Sequence, residues 1–112
     1  MTAPESEGLL RRLSDVLATL SRDGERDLTL RQLAVFLICC TEARDKTAKE
    51  LSDALDVTAP AIGRAAERLT RGGLLLRKPN LRDRRSYLLA KTPSGLRLLE
   101  ELRLRVANLY PC

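Results

Sequence analysis

Gly73-Leu74-Leu75-Leu76-Arg77-Lys78-Pro79-Asn80-Leu81-Arg82-Asp83-Arg84-Arg85-Ser86-Tyr87-Leu88-Leu89-Ala90-Lys91 sets a short apolar run, a positively charged turn and a second apolar run in succession. Residues 73–91 predict a basic β-hairpin with strands near 74–76 and 87–90. Pro79-Asn80 is the turn signal, and the loop is too long and too charged for a tight two-residue connection. Arg82, Arg84 and Arg85 cluster around its tip, with Asp83 among them.

Two helix-sized segments lie immediately upstream. Thr47 followed three residues later by Glu50 is a capping box, opening a short helix with Ala48, Leu51, Ala54 and Leu55 that can hardly pass Asp56. Thr58 can cap again, and Pro60 is tolerated in a first turn because its missing amide hydrogen would have no intrahelical partner. That helix should run to about Arg71, with Ile62, Ala65, Ala66 and Leu69 toward the core, and Gly72-Gly73 stops it. Residues 47–72 therefore read as a helix-turn-helix and 73–91 as the wing that follows it. Further out, Leu9, Leu10, Leu13, Val16, Leu17 and Leu20 recur at helical spacing over about 6–22, a helix ended by Asp23-Gly24. Thr29 can cap a helix through Leu30, Leu33, Phe36, Leu37 and Cys40, apolar enough to be the buried one. A last helix is expected over 92–110. The fold class is mainly α with a small β-hairpin wing, and all 112 residues are expected to form a single winged-helix domain.

Charge is local. Residues 64–91 hold nine Lys or Arg against Glu67 and Asp83, whereas residues 1–63 carry eight basic against eleven acidic groups. A net charge of +5 concentrated in this way is what a phosphate-binding face requires, although charge runs can also be plain solvated surface. Duplex DNA is the leading candidate partner. A helix-turn-helix sets the start of its second helix against base edges and its exposed amides against phosphates. Thr58, Ala59, Ala61, Gly63, Arg64 and Arg68 are the candidates there. Thr58 would cap its helix with or without DNA, Ala59 and Ala61 can touch a thymine methyl or merely permit close approach, and Arg64 and Arg68 can bind phosphate or guanine. At the wing, Arg82, Arg84 and Arg85 are candidate DNA contacts. Asp83 can neutralise and orient one arginine so that another enters a minor groove, where narrow A·T-rich stretches attract guanidinium groups.

Gly73-Leu74-Leu75, Arg77, Asp83-Arg84-Arg85-Ser86, Leu88-Leu89 and Thr92-Pro93-Ser94-Gly95 together resemble the wing and following helix start of the MarR-family winged-helix regulators. The likeness extends over roughly residues 28–100 through Thr47, Leu51, Leu55, Ile62, Arg64, Leu69 and Gly73. It implies that Arg85 makes the wing's DNA contact with Asp83 supporting it. It also implies a homodimer on a pseudo-palindromic operator, usually repressing transcription and often released by a small-molecule effector or by thiol oxidation. Two residues depart from the family pattern: Lys91 stands where leucine is common, and Gly63 replaces a common Ser or Thr, removing one DNA-facing hydroxyl. The end at Cys112 leaves no room for the family's extra C-terminal helix, an expectation that bears on dimerisation and on the ligand pocket.

The terminal helices are expected to associate. Leu96, Leu99, Leu102, Val106 and Leu109 form one stripe, widened by Leu98 and Leu104, and the first helix has its own. Leu9, Leu13, Leu17, Leu99, Leu102, Val106 and Leu109 are the candidate dimer contacts, the alternative being that the two helices pack on each other within one chain.

Other functions find little footing. With no histidine, no Gly-rich phosphate loop and no Cys/His or Ser/His pair, neither catalysis nor a metal or other cofactor is expected. Cys39, Cys40 and Cys112 have neither metal-ligand nor disulfide spacing, which fits a reducing cytoplasm. No apolar run approaches a membrane span. Two alternatives stay open beside the DNA-binding regulator: a winged-helix module that binds protein and DNA only weakly, and a regulator switched at its thiols.

Overall fold

Threonine hydroxyls open all five helices among the described residues. Thr2, Thr29, Thr47, Thr58 and Thr92 accept hydrogen bonds from the backbone amides of Glu5 (3.2 Å), Gln32 (3.1 Å), Glu50 (3.1 Å), Ala61 (3.3 Å) and Gly95 (2.9 Å). Each satisfies one of the donors that a helix start leaves without an intrahelical partner. The computed structural model describes residues 1–22 and 27–108. Along the chain it comprises α1 (Ala3–Ser21), α2 (Leu30–Thr41), β1 (Lys46–Thr47), α3 (Ala48–Leu55), α4 (Ala59–Arg71), β2 (Leu75–Pro79), β3 (Tyr87–Lys91) and α5 (Pro93–Asn108). Helix α1 begins earlier than the periodicity suggests, because Thr2 and Pro4 supply a start signal upstream of the first leucine. Its expected stop at Asp23-Gly24 lies outside the described residues.

The chain divides into two compact units, Thr29–Leu96 and Met1–Leu28 with Arg97–Cys112. In the first, α2 packs on α4 and β3, and α4 packs on α3 and β2. Val35, Phe36, Leu51, Ile62, Ala66, Leu69, Leu75 and Leu89 are fully buried. Leu30 and Ala54, both apolar and on the helices expected of them, are exposed. Leu30 is the first residue of α2, where the stripe has not yet met its neighbours.

The wing is part of a three-stranded antiparallel sheet of order β1-β3-β2. Register runs from Leu75 opposite Lys91 to Pro79 opposite Tyr87, and β1 sets Lys46 and Thr47 against Leu89 and Leu88. The strands thus extend beyond the apolar runs, and the third strand was not expected. Two residues carry too little alternation to read as a strand.

Two glycines fix how α4 feeds the wing. Gly73 has φ +75, and the amides of Gly73 and Leu74 donate to the carbonyls of Thr70 (3.1 Å) and Leu69 (3.0 Å), a Schellman closure. Gly95 lies so close to the wing base that a Cβ there would sit 2.2 Å from the Leu74 carbonyl oxygen. The buried Thr92 hydroxyl donates to the carbonyls of Gly73 (2.7 Å) and Leu74 (3.1 Å), so the start of α5 is bonded to the start of the wing.

In the second unit α1 buries Arg12, Val16 and Leu20, and α5 buries Leu98, Leu99 and Leu102. The buried face of α1 is therefore not the leucine-rich one. Leu9, Leu10 and Leu13 are exposed.

Candidate nucleic-acid interface

Helix α4 sorts its residues by face. Ile62, Ala65, Ala66 and Leu69 point into the core, which leaves Thr58, Ala59, Pro60 and Arg64 exposed and Gly63 half-buried. Ala61 is also buried. Its methyl is withdrawn from any groove the helix could enter, which corrects its reading as a thymine contact: as the third residue of the helix it already belongs to the inward face. The first turn of α4 has no acidic residue, so the positive end of its dipole faces solvent without a carboxylate of its own. Arg68 is half-buried, with Nη1 only 2.7 Å from where a Gly72 Cβ would be. Its guanidinium therefore lies over the C-terminal end of α4, where a cation is favourable whether or not DNA is bound. Around Gly63 nothing lies within 4 Å of an added Cβ, so packing does not require glycine there.

The wing tip is a pair of linked turns. Asp83 N donates to Asn80 O (3.2 Å) and Ser86 N to Asp83 O (3.1 Å). The side chains repeat the pattern: Asn80 Oδ1 accepts from Arg82 N (3.1 Å), and Asp83 Oδ1 accepts from Arg85 N (3.0 Å) and Arg85 Nε (3.3 Å). Asn80 Nδ2 reaches across to Ser86 Oγ (2.9 Å) and closes the loop at its base. Asn and Asp are suited to this because their side chains mimic a backbone turn two residues on. Arg82, Arg84 and Arg85 are all exposed, with the Arg85 side chain 92 % accessible even though it pairs with Asp83. Asp83 thus aims Arg85 without burying it.

Several charged groups next to this face were not among the candidate site residues. Arg77 stacks on Tyr87 (4.7 Å to the ring centroid), Lys78 pairs with Asp45 (3.2 Å), and Arg44 pairs with Glu50. Arg44 and the Thr47 amide hold the Glu50 carboxyl well below its ordinary value, at about 2. An open groove of about 560 Å³ lies between this cluster and the wing, lined among others by Thr47, Lys78, Asn80 and Leu81. The Asp45–Lys78 pair spans 33 residues, so local spacing holds no signal for it.

The MarR family model matches residues 26–86, more than half of the chain. The chain belongs to the MarR family. Among solved structures, this MarR-family chain is similar to transcriptional regulator Tm0710 from Thermotoga maritima, with 29% identity, a TM-score of 0.68, and coverage of 94% of this chain and 75% of that one. CouR from Rhodococcus jostii, solved with p-coumaroyl-CoA, is 25% identical with a TM-score of 0.67, over 93% and 71% of the two chains. MepR from S. aureus, solved with DNA, shares the fold at 20% identity and a TM-score of 0.73, over 93% and 80%. No curated protein matches the chain. This MarR-family member is a DNA-binding winged helix-turn-helix transcriptional regulator and not an enzyme. No helix among the described residues is long and apolar enough to cross a membrane.

The regulator's expected dimer residues separate into two groups. Leu9, Leu13 and Val106 are exposed and Leu17 is half-buried, whereas Leu99 and Leu102 are buried within the chain. The last two are corrected from interface to core. Leu109 and Cys112 lie outside the described residues. Cys39 and Cys40 are both buried, and burial pushes their thiols up to about 12 and about 11, Cys40 adding to the effect on Cys39. Protonated, enclosed thiols are poor nucleophiles, so a redox switch at α2 is disfavoured.

Proposed function

We propose that this protein is a dimeric, sequence-specific regulator that represses transcription by occupying a pseudo-palindromic operator. Helix α4 enters the major groove, and the wing enters the adjacent minor groove. The observation that carries the reading is the wing tip, where two side-chain-locked turns hold Arg82, Arg84 and Arg85 exposed, together with an α4 whose first turn carries no carboxylate. Thr58, Ala59, Gly63 and Arg64 face the major groove in this docking, and Arg68 steadies the far end of the helix. The MepR–DNA complex, which shares the fold, supports DNA as the partner. Dimerisation is supported by the apolar side chains left in water on the terminal helices: Leu9, Leu10 (57 % exposed), Leu13, Leu104 and Val106. A two-fold protein sets its recognition helices about one DNA turn apart, and an occupied site in a promoter blocks polymerase by exclusion.

Selection from a random-sequence duplex pool followed by salt titration tests the proposal. The expected product is an inverted repeat with half-sites about 10 base pairs apart. Affinity for it should fall steeply with salt, and Arg64→Ala or Arg85→Ala should lower the slope by about 1 per phosphate contact in each half-site. Recovery of no preferred sequence, with only weak salt-insensitive binding, would instead favour a protein-binding module. Light scattering at micromolar concentration should give twice the chain mass.

A further inference from the structure

The arginines of the wing account for its charge, but its tip also holds an exposed apolar residue. Leu81 is 87 % exposed, more than Leu10, Leu13 or Leu104. It does not sit on a loose loop. Leu81 and Arg82 are the two central residues of the turn closed by Asp83 N on Asn80 O, and the Asn80 carboxamide secures that turn from both sides through Arg82 N and Ser86 Oγ. The leucine is thus presented on a fixed backbone, next to Arg82 and within a few residues of Arg84 and Arg85.

A single exposed leucine is ordinary on a protein surface. A leucine locked at the end of a cationic finger is a different object, because the arginines bring it to a surface with a specific chemistry. The walls of a minor groove are deoxyribose C–H groups, and its floor can be entered between base steps by an apolar wedge. We propose that Leu81 is such a wedge: the arginines draw the tip into the minor groove, and Leu81 buries its side chain against sugars and base edges. This rests on the DNA-binding reading above and adds to it a contact whose strength does not come from charge.

Charge and wedge can be separated by salt. Counterion release depends on the cations a protein brings to phosphates, so removing an uncharged side chain should leave the salt slope unchanged while lowering affinity at every salt concentration. With the duplex selected by the wild-type protein, Leu81→Ser should weaken binding by about tenfold, the equivalent of one leucine returned to water, and Leu81→Met should restore most of it. Because the side chain is exposed, thermal unfolding of both variants should match wild type. Unchanged affinity for Leu81→Ser overturns the wedge. So does a reduced salt slope, which would mean that the leucine acts by holding the arginines. Arg85→Ala, run alongside, isolates the underlying reading: if it alters neither affinity nor slope, DNA binding by the wing falls and the wedge with it.

Discussion

Helices α3 and α4 both begin with a threonine cap, yet they leave their positive ends in opposite states. At α3 the amides of Thr47 and Glu50 are bonded reciprocally, Glu50 brings a carboxylate into the first turn, and Arg44 holds that carboxylate ionised. At α4, Thr58 caps at 3.3 Å, Ala59 and Pro60 follow, and the first turn contains no acidic residue. One end carries a carboxylate from within its own first turn and the other carries none. Helix α5 is sealed in another way, its cap buried and bonded to the wing base. Sealed ends position the elements, and the open end is the one that the proposed docking turns toward DNA.

Breaking a seal should have the largest effect. Gly95→Ala drives a methyl toward the Leu74 carbonyl, at 2.2 Å from ideal geometry, and backbone on both sides cannot yield as a flexible side chain would. The expected loss is about 3 kcal/mol or more, read as a lower urea midpoint at unchanged m-value. A midpoint equal to wild type would show that α5 is not held against the wing base. Opening an already open end should act differently. Ala59→Asp supplies α4 with the carboxylate that it lacks, so stability should rise by about 0.5 kcal/mol through the dipole. DNA affinity should drop by about a hundredfold, because the new charge faces phosphate. Thermal unfolding and binding moving in opposite directions is the signature, and binding unchanged would remove the start of α4 from the interface.

The same contrast explains what could be read in the sequence. Thr47, Thr58 and Gly72-Gly73 were legible because capping and C-terminal closure are local, set by residues within about five positions of each other. The pairing of Asp83 with an arginine was legible because the charges stand within two residues of each other, whereas the side-chain turns that Asn80 and Asp83 form were not read. Which face of α1 goes inward was not. Arg12, Val16 and Leu20 are buried while Leu9 and Leu13 are not, and only packing partners distant in sequence decide between two apolar stripes on one helix. Leu99 and Leu102 were placed on the wrong side for that reason. Strand β1 escaped because pairing of Lys46 and Thr47 with β3 depends on residues more than forty positions away.

Smaller substitutions sharpen the difference between the two caps. Thr47→Ala removes one half of a reciprocal box and should cost about 1 kcal/mol, whereas Thr58→Ala removes a single longer bond and should cost roughly half as much. In DNA binding the order should reverse, Thr58→Ala being the more damaging, because in the proposed docking it is the start of α4 that enters the major groove. Chemical denaturation and binding isotherms on the two variants check both orders. Equal stability losses would mean that the reciprocal bond at α3 adds nothing to its cap.

The smallest effect isolates Glu50. Its carboxyl is held at about 2, first by the hydrogen bond from Arg44 and then by the Thr47 amide, against an ordinary value of 4.5. A depressed folded-state value means that the ionised carboxylate is favoured by folding. Its contribution is present above pH 4.5 and is lost as pH falls from there toward 2. Arg44 is well exposed, so water screens the pair and the contribution is modest. Glu50→Gln keeps an acceptor for the Thr47 amide but has no proton to gain. Its melting temperature at neutral pH should be slightly below wild type, and the gap should close as the pH is lowered through that window. A gap that stays constant with pH would assign the effect to side-chain shape. α3 would then be sealed by its hydrogen bonds alone, and its difference from α4 would not be one of charge.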